Sequence, residues 1–393
     1  MKFLDISSFY SERGGGVRTY HNEKIRFFEA SERYEYVMIV PSPRYTFERR
    51  GKTRIYGVRG FPVSADGVYR QLFDVVTMKA ILHNERPDVV EVGSCYLDNW
   101  LALAGALTRR PIMSGFYHAD FPDSYMALAA RRLPGPFARG FVRFWQRYAR
   151  FSYSRLDVTL VASRYIRDKL AGYGLRNTRL TPLGVDVDVF RPERSSPSIR
   201  RRFGVGPRGR LVLYVGRFSP EKGMDALVTG LPLLLEGSED RVVLVGDGPL
   251  KADVTRAAGD DPRIRFVDFV RDRGELAGLM ASADVFLSPG PHETFGLGAL
   301  EAMSSGTPVV AAASGGVMEL VSASGGGVLF EPSDGASMAS AVRVLLDNEL
   351  GARAGAMGRR FAVERHAWPV VLERMIEIYH EVSEDRPRIA RAS

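Results

Sequence analysis

A single cysteine, Cys95, in a chain of 393 residues excludes an intramolecular disulfide and any multi-cysteine metal site. A reducing, cytosolic setting is the simplest fit. Histidines number six and do not cluster. No apolar run approaches the roughly 18 residues that a membrane-spanning helix needs. The opening "MKFLDISSFY" goes straight into a strand-like pattern, so no secretory signal is expected. Acidic residues are outnumbered, 46 against 54 basic ones, which leaves a net charge of +8. That surplus points to anionic partners such as phosphates, nucleic acid or lipid head groups. An apolar fraction of 45% with 25% charged residues describes a soluble globular chain, and its length suits two domains better than one.

Strand-like and helix-like segments alternate throughout, the rhythm of parallel α/β sheets. In the first half the expected strands are "KFLDIS", "YEYVMIV", "DVVEVGS", "PIMSGFY" and "DVTLVAS", with helical patterns between them such as "YRQLFDVVTMKAILHN". The pattern restarts after residue 210 with "LVLYVG", "RVVLVGDG", "IRFVDFV", "DVFLSPG" and "TPVVAA". The segment between is rich in Pro, Ser, Gly and Arg and reads as a linker with a short helix. Two doubly wound domains are therefore expected, 1–183 and 184–365. Ligands in such sheets bind at the carboxyl ends of the strands, so two of them facing each other would form a cleft.

Three strand-to-helix turns carry glycine. In "LVLYVGRFSPEKGMDAL", Gly216 ends a strand, and Arg217 and Lys222 flank a loop opening onto a helix N-terminus. Fixed cations, free backbone N–H groups and the positive end of a helix suit a diphosphate; the plainer alternative is a helix-capping loop with two solvated charges. "LVGDGPL" offers Gly246 and Gly248 but lacks the full G-x-G-x-x-G spacing. "GGGVRTY", residues 14–20, should open the first helix, and its glycines would let a ligand approach the backbone closely.

"PHETFGLGALEAMSSGTPVVAA" holds two glutamates eight residues apart, Glu293 and Glu301. Thr294 is the expected N-cap, which would leave the amides of Phe295, Gly296 and Leu297 pointing out of the helix start. Glu301 would lie about 10 Å further along the helix at about 1.5 Å per residue. Two acceptors with amides between them suit a nucleotide sugar. Glu301 falls among Leu297, Leu300, Ala302 and Met303, where an unpaired carboxylate is costly.

These motifs, in this order, resemble retaining glycosyltransferases of family 4, enzymes of the GT-B fold. "HETFGLGALEAMSSGTPVVAA" is similar to their E-x7-E segment, "GRFSPEKG" to their donor-phosphate loop, "GDGPL" to the glycine turn that follows, and "GGGVRTY" to their N-terminal glycine loop. "TPLGVDVDVF" resembles the interdomain segment, with Leu183 where asparagine is usual. The resemblance implies that Arg217 and Lys222 hold the donor pyrophosphate and Glu301 the ribose. Glu293, Phe295 and Gly296 would meet the donor sugar, and Gly15 and Gly16 would face the diphosphate across the cleft. It also makes His118, in "SGFYHADFPDSY", a residue of the sugar-transfer site, with Asp120 a weaker acceptor contact. The first domain would bind the acceptor and be completed by a C-terminal helix, about 366–393; the second would bind the donor.

The implied chemistry is retaining hexosyl transfer, with mannose from GDP-mannose first and UDP-hexoses next, onto a glycolipid or small glycoside. The departing phosphate itself would take the acceptor proton, and no cofactor is expected beyond the nucleotide sugar. "Asp186-Val187-Asp188" has the spacing of a metal site but lies in the linker, so it reads as structural and no obligatory metal is expected. A nucleotide-sugar epimerase of the same architecture is the nearest enzyme alternative, while a dehydrogenase is disfavoured by the incomplete fingerprint. A nucleic-acid binder is suggested by "RRLPGPFARGFVRFWQRYARFSYSR", but the aromatics there follow helical rather than sheet spacing. Phe137, Phe141, Phe144, Tyr148 and Phe151 fall on one helix face with arginines on others. Within 136–152 this reads either as core packing or as an interfacial helix on an anionic membrane, at the inner face of which a cytoplasmic enzyme could dock.

Overall fold

The computed structural model describes residues 1–10, 15–63, 70–94, 96–106, 110–130, 133–346 and 348–385. Gly14 of the first glycine loop, Cys95, Arg131, Arg132 and the expected C-terminal segment from 386 onward lie outside the described residues. The chain divides into two compact units, Met1–Pro182 with Val371–Ser393, and Leu183–Val370.

In the first unit the strands are β1 Lys2–Ile6, β2 Glu35–Ser42, β3 Thr46–Arg50, β4 Thr53–Pro62, β5 Arg70–Leu72, β6 Val89–Val92, β7 Ile112–Phe116, β8 Val158–Val161 and β9 Thr178–Leu180. They pair in the order β3-β4-β2-β1-β6-β7-β8-β9, with β5 on β4. Only β3 and β5 run antiparallel, both against β4. The direction of winding reverses at β1, which lies between β2 and β6. Strands such as Val89–Val92 are apolar along almost their whole length because helices cover both faces. Leu4, Ile6, Val37, Ile39, Val90 and Val92 are all fully buried in one cluster.

The stretch "YRQLFDVVTMKAILHN" is not one helix. Arg70–Leu72 pairs with Gly60–Pro62 as β5, and the helix is Val75–Glu85. Asp74 explains the break: its side chain accepts from the Thr77 amide at 2.9 Å and so caps the helix start. Leu72, just before it, is completely buried.

The second unit is a simpler sheet of β10 Leu211–Val215, β11 Arg241–Val245, β12 Ile264–Val267, β13 Val285–Ser288, β14 Val309–Ala312 and β15 Gly327–Phe330. All pairs are parallel, in the order β12-β11-β10-β13-β14-β15. This is the doubly wound Rossmann order, with its switch point between β10 and β13.

The core of the first unit contains charge. Lys24, on the helix Gly16–Glu29, is 1% exposed, yet its ammonium lies 2.7 Å from Asp5 of β1 and 3.2 Å from Glu91 of β6. Tyr36 and His21 also bind the Asp5 carboxylate, at 2.8 and 3.1 Å. Glu91 accepts from the hydroxyls of Tyr20 at 2.9 Å and Tyr379 at 2.6 Å. Tyr379 belongs to the last helix, Trp368–Asp385, whose residues from Val371 onward pack into this unit. Burial alone would raise the Asp5 carboxyl, but the Lys24 ammonium and His21 pull it down to about 2. Burial would likewise lower the Lys24 ammonium, and its two carboxylates more than offset that.

Removing one partner of such a network leaves buried charge uncompensated, which typically costs about 3–5 kcal/mol. Lys24→Met should therefore lower the unfolding free energy at pH 7 by that amount in urea titrations. In the wild type, the Asp5 contribution is complete above its unfolded value of about 3.9 and is lost as the pH falls towards about 2. Without Lys24 the Asp5 value rises, so the gap between variant and wild type should narrow below about pH 4. A destabilisation under about 1 kcal/mol, or a gap independent of pH, would contradict this description.

Candidate active site

The loops after β10 and β13 meet at the switch point of the second sheet. The first runs from Gly216 through Arg217 and a short 3-10 turn, Pro220–Lys222, into the helix Met224–Leu235. The second runs from Pro289 to Gly296 and opens the helix Leu297–Ser304. Lys222 and Glu293 join them, Nζ to Oε1 at 2.5 Å, both partly exposed. Gly223 makes this approach possible: it has φ +70°, and a Cβ there would lie 2.0 Å from the Pro289 carbonyl oxygen. Arg217 stands exposed at the rim, while its carbonyl accepts from the Tyr214 hydroxyl at 3.0 Å.

Gly246 and Gly248 crowd the same loop. A Cβ on Gly246 would lie 2.0 Å from the Gly216 oxygen, and one on Gly248 2.4 Å from the Phe218 oxygen. Phe218 donates its amide to Asp247 at 3.0 Å and its carbonyl accepts from Leu250 at 2.9 Å. These glycines make room for backbone, and they thereby fix the Gly216–Phe218 segment.

Thr294 is not the N-cap. The helix begins at Leu297, with Gly296 in the left-handed conformation at φ +98°. A Cβ on Gly296 would lie 2.9 Å from Val317, so crowding as well as φ selects glycine. By helix geometry the amides without an intrahelical partner are then those of Leu297, Gly298 and Ala299, two residues later than expected. Glu293 is anchored from behind, its carbonyl accepting from the Gly316 amide at 2.6 Å. Phe295 is 3% exposed and its ring packs on His366. Any contact it makes with a ligand therefore comes from its backbone. Glu301 follows on the same helix, half-buried.

In the first unit, Gly15 caps the helix Gly16–Glu29 at the carboxyl end of β1, and the space at its Cβ position is open. His118 follows β7 and is half-buried. Its ring stacks on Phe116 at 4.3 Å and lies edge-on to Tyr20 and His21. Burial, with His21 and Lys24 nearby, pushes its titration well below the ordinary histidine range, so the ring is neutral at pH 7. Asp120 does not offer itself to an acceptor: it is 2% exposed, ion-paired with Lys169, and accepts from the Tyr117 hydroxyl at 3.1 Å. Its charge is committed to holding the segment after β7.

Asp186 and Asp188 form a turn. Oδ1 of Asp186 accepts from the amides of Asp188 at 3.3 Å and Val189 at 3.1 Å. The charge cluster of Asp5, His21, Lys24 and Glu91 was missed from sequence, although charges inside the apolar strands "KFLDI" and "VVEV" were visible signals.

Solved structures share this two-unit fold. Sucrose-phosphate synthase from Thermosynechococcus elongatus superimposes with a TM-score of 0.78 at 21% identity, over 98% of this chain and 99% of that one. Anabaena HepE, in complex with UDP and glucose, does so at 0.72 and 20% identity, over 97% and 99%. The fold is thus GT-B, the two-domain architecture of glycosyltransferases. Residues 14–219 match the profile of Glycosyltransferase Family 4, and 209–348 that of Glycosyl transferases group 1. The chain belongs to glycosyltransferase family 4 and is a glycosyltransferase. Among its relatives is the GDP-mannose-dependent alpha-(1-6)-phosphatidylinositol dimannoside mannosyltransferase of Mycobacterium tuberculosis, 33% identical over 83% of each chain. The GDP-mannose-dependent alpha-mannosyltransferase of Mycolicibacterium smegmatis is 32% identical over 78% of this chain and 76% of its own. Sulfoquinovosyl transferase SQD2 of Arabidopsis thaliana is 31% identical over 80% and 61%.

Proposed function

We propose that the protein transfers mannose, or failing that another hexose, from a nucleoside-diphosphate sugar to a hydroxyl of a glycolipid, with retention and without an obligatory metal. GDP-mannose is the donor of first choice because two relatives at 32–33% identity are named as GDP-mannose-dependent. The observation that carries the reading is the meeting of Lys222, Glu293 and the N-terminus of the helix Leu297–Ser304 at a sheet switch point. Arg217 and Lys222 supply cations for the diphosphate, and the amides of Leu297 and Gly298 add the positive end of a helix. Glu293 orients Lys222 and accepts from hydroxyls of the transferred sugar, with the backbone at Phe295 and Gly296 beside it. Glu301 takes the ribose. Gly216, Gly246 and Gly248 shape the loop.

In the reaction, the acceptor oxygen bonds to C1 as the C1–O bond to the diphosphate breaks on the same face. The electron pair stays on the phosphate oxygen, which receives the acceptor's proton. The charge that grows on the leaving diphosphate is what the preorganised cations stabilise, typically worth about 10²- to 10³-fold per group. Unit Met1–Pro182 holds the acceptor. There neutral His118 hydrogen-bonds a sugar hydroxyl, and the open N-terminus at Gly15 and Gly16 accommodates phosphate. The turn-forming role of Asp186 supports metal-free chemistry, since its Oδ1 is already engaged by two amides.

No described helix is long and apolar enough to cross a membrane. Peripheral docking at the cytoplasmic face is supported by the helix Gly135–Tyr153, whose core contacts come from Ala149, Ser152 and Tyr153. Phe137, Phe144 and Phe151 are instead 71%, 59% and 50% exposed. The core-packing reading of the aromatic face therefore fails for these three rings. The helix carries arginines and no acidic residue, so each arginine near an anionic surface contributes about 1 kcal/mol.

An NMR time course with GDP-mannose and a mannosylated phospholipid should show product in the donor's α configuration, formed equally fast in excess EDTA. An inverted product, or loss in EDTA restored by Mn²⁺, would overturn retention or metal independence respectively. Co-sedimentation with phosphatidylglycerol vesicles should be strong at low salt and weakened by salt and by replacing Arg143 and Arg147 with Glu. Wild-type protein that stays in the supernatant at low salt would count against docking.

A further inference from the structure

Beside the exposed aromatic face lies a groove of about 360 Å³, lined by Tyr96, Leu97, Trp100, Phe144, Trp145 and Tyr148. Its size falls within the roughly 300–1,000 Å³ usual for ligand sites. Its walls are aromatic and aliphatic, formed by the helix Leu97–Gly105 on one side and the helix Gly135–Tyr153 on the other. Leu97 and Phe144 are exposed at its edge, 38% and 59%. The Trp100 indole donates to the Tyr148 hydroxyl at 3.1 Å. The buried Trp145 indole nitrogen, by contrast, has no hydrogen-bond partner among the described residues.

The groove is joined to the strand ends of the first sheet through rings in contact. Tyr96, which follows β6, meets Phe9, which follows β1, at 5.9 Å between centroids. It meets Phe121, which follows β7 three residues after His118, at 4.8 Å. Phe121 in turn packs on Trp145 at 5.2 Å, and Trp145 on Phe144 at 5.3 Å. Rings from three strand-end loops, Phe9, Tyr96 and Phe121, thus form one run of contacts that ends at the groove wall. One arginine borders it: Arg155 is exposed and its guanidinium lies over the rings of Trp100 and Phe151.

We infer that this groove holds an acyl chain of the anionic lipid acceptor, so that the lipid is gripped by its chain while its sugar head is presented at the strand ends near His118. The inference rests on the proposed lipid acceptor. It goes further in assigning a chain site to the first unit, distinct from docking on a bilayer surface. An apolar chain supplies the non-directional burial such walls need, and the exposed Arg155 guanidinium over Trp100 matches a lipid phosphate.

The three tryptophans make a direct test. Trp100 and Trp145 line the groove, while Trp368 is 4% exposed in the second unit. Lysophosphatidylglycerol brominated on its chain, kept below its micelle concentration so that no bilayer is present, should quench fluorescence saturably. The same should hold for Trp368→Phe. Leu97→Asp and Phe144→Ser, both at exposed positions, should each weaken the apparent affinity at least tenfold. Chainless glycerophosphoglycerol should not compete. Absent or unsaturable quenching, unchanged affinity in both variants, or competition by the chainless head group would overturn the groove. The readout needs neither donor nor transfer. Lipid glycosylation without quenching would leave the function standing and remove the groove. Saturable quenching with no glycosylation of any lipid would overturn the acceptor assignment.

Discussion

An ammonium and a carboxylate 2.5 Å apart tie together the two loops on which the second unit's chemistry depends. Lys222 ends the loop after β10 and Glu293 sits in the loop after β13, so their contact spans the point where the sheet reverses its winding. Such a partly exposed pair adds little to stability, commonly less than about 1 kcal/mol. Its consequence is positional. It places a cation, oriented by its partner, beside the start of the helix Leu297–Ser304. The surrounding glycines serve the same end. Gly223 admits the Pro289 carbonyl, and Gly246 and Gly248 admit the backbone of Gly216 and Phe218. A bulkier residue at any of these three positions would push the cation loop away from the carboxylate loop.

The first unit solves a different problem with the same element, charge at the carboxyl ends of parallel strands. Lys24 links Asp5 and Glu91, the two acidic residues on neighbouring strands at its switch point, and Tyr379 brings the terminal helix onto Glu91. Here the charges are fully buried, so the network holds β1, β6, the first helix and the last helix in a single arrangement. His21, bound to Asp5, and Tyr20, bound to Glu91, in turn pack around His118. Burial keeps the ring of His118 neutral, and the cations of this network, His21 and Lys24, add to that effect.

Much of this could be read from the chain. Ten strands were visible as apolar runs, because parallel strands covered on both faces read as continuous hydrophobic segments. The strands that escaped notice, β3, β4, β5, β9 and β15, are polar, edge-placed or only three to five residues long in all but one case. Their pairing is a tertiary matter. Arg70–Leu72 looked helical because the pattern of the following helix extends back through it, and only Asp74 reveals the boundary. The carboxylate at Glu293 and the cation at Lys222 were recognised separately, but 71 residues of sequence separate them and nothing local announces that they touch. Asp120 looked available for the same reason, since Lys169 reaches it from 49 residues away. The cap at Gly296 turned on φ, which sequence leaves open between Thr294 and glycine.

Glycosyl transfer of this type asks the protein for little covalent chemistry and much electrostatic preparation. The Lys222–Glu293 pair would provide it by holding the cation in place before the donor arrives. A double-mutant cycle on turnover with saturating GDP-mannose, using Lys222→Met, Glu293→Gln and both together, measures that directly. If the pair acts as a unit, each single change lowers kcat by about 10²-fold or more and the double variant is scarcely slower than the slower single. Losses that multiply independently, or a Lys222→Met enzyme with wild-type kcat, would contradict it.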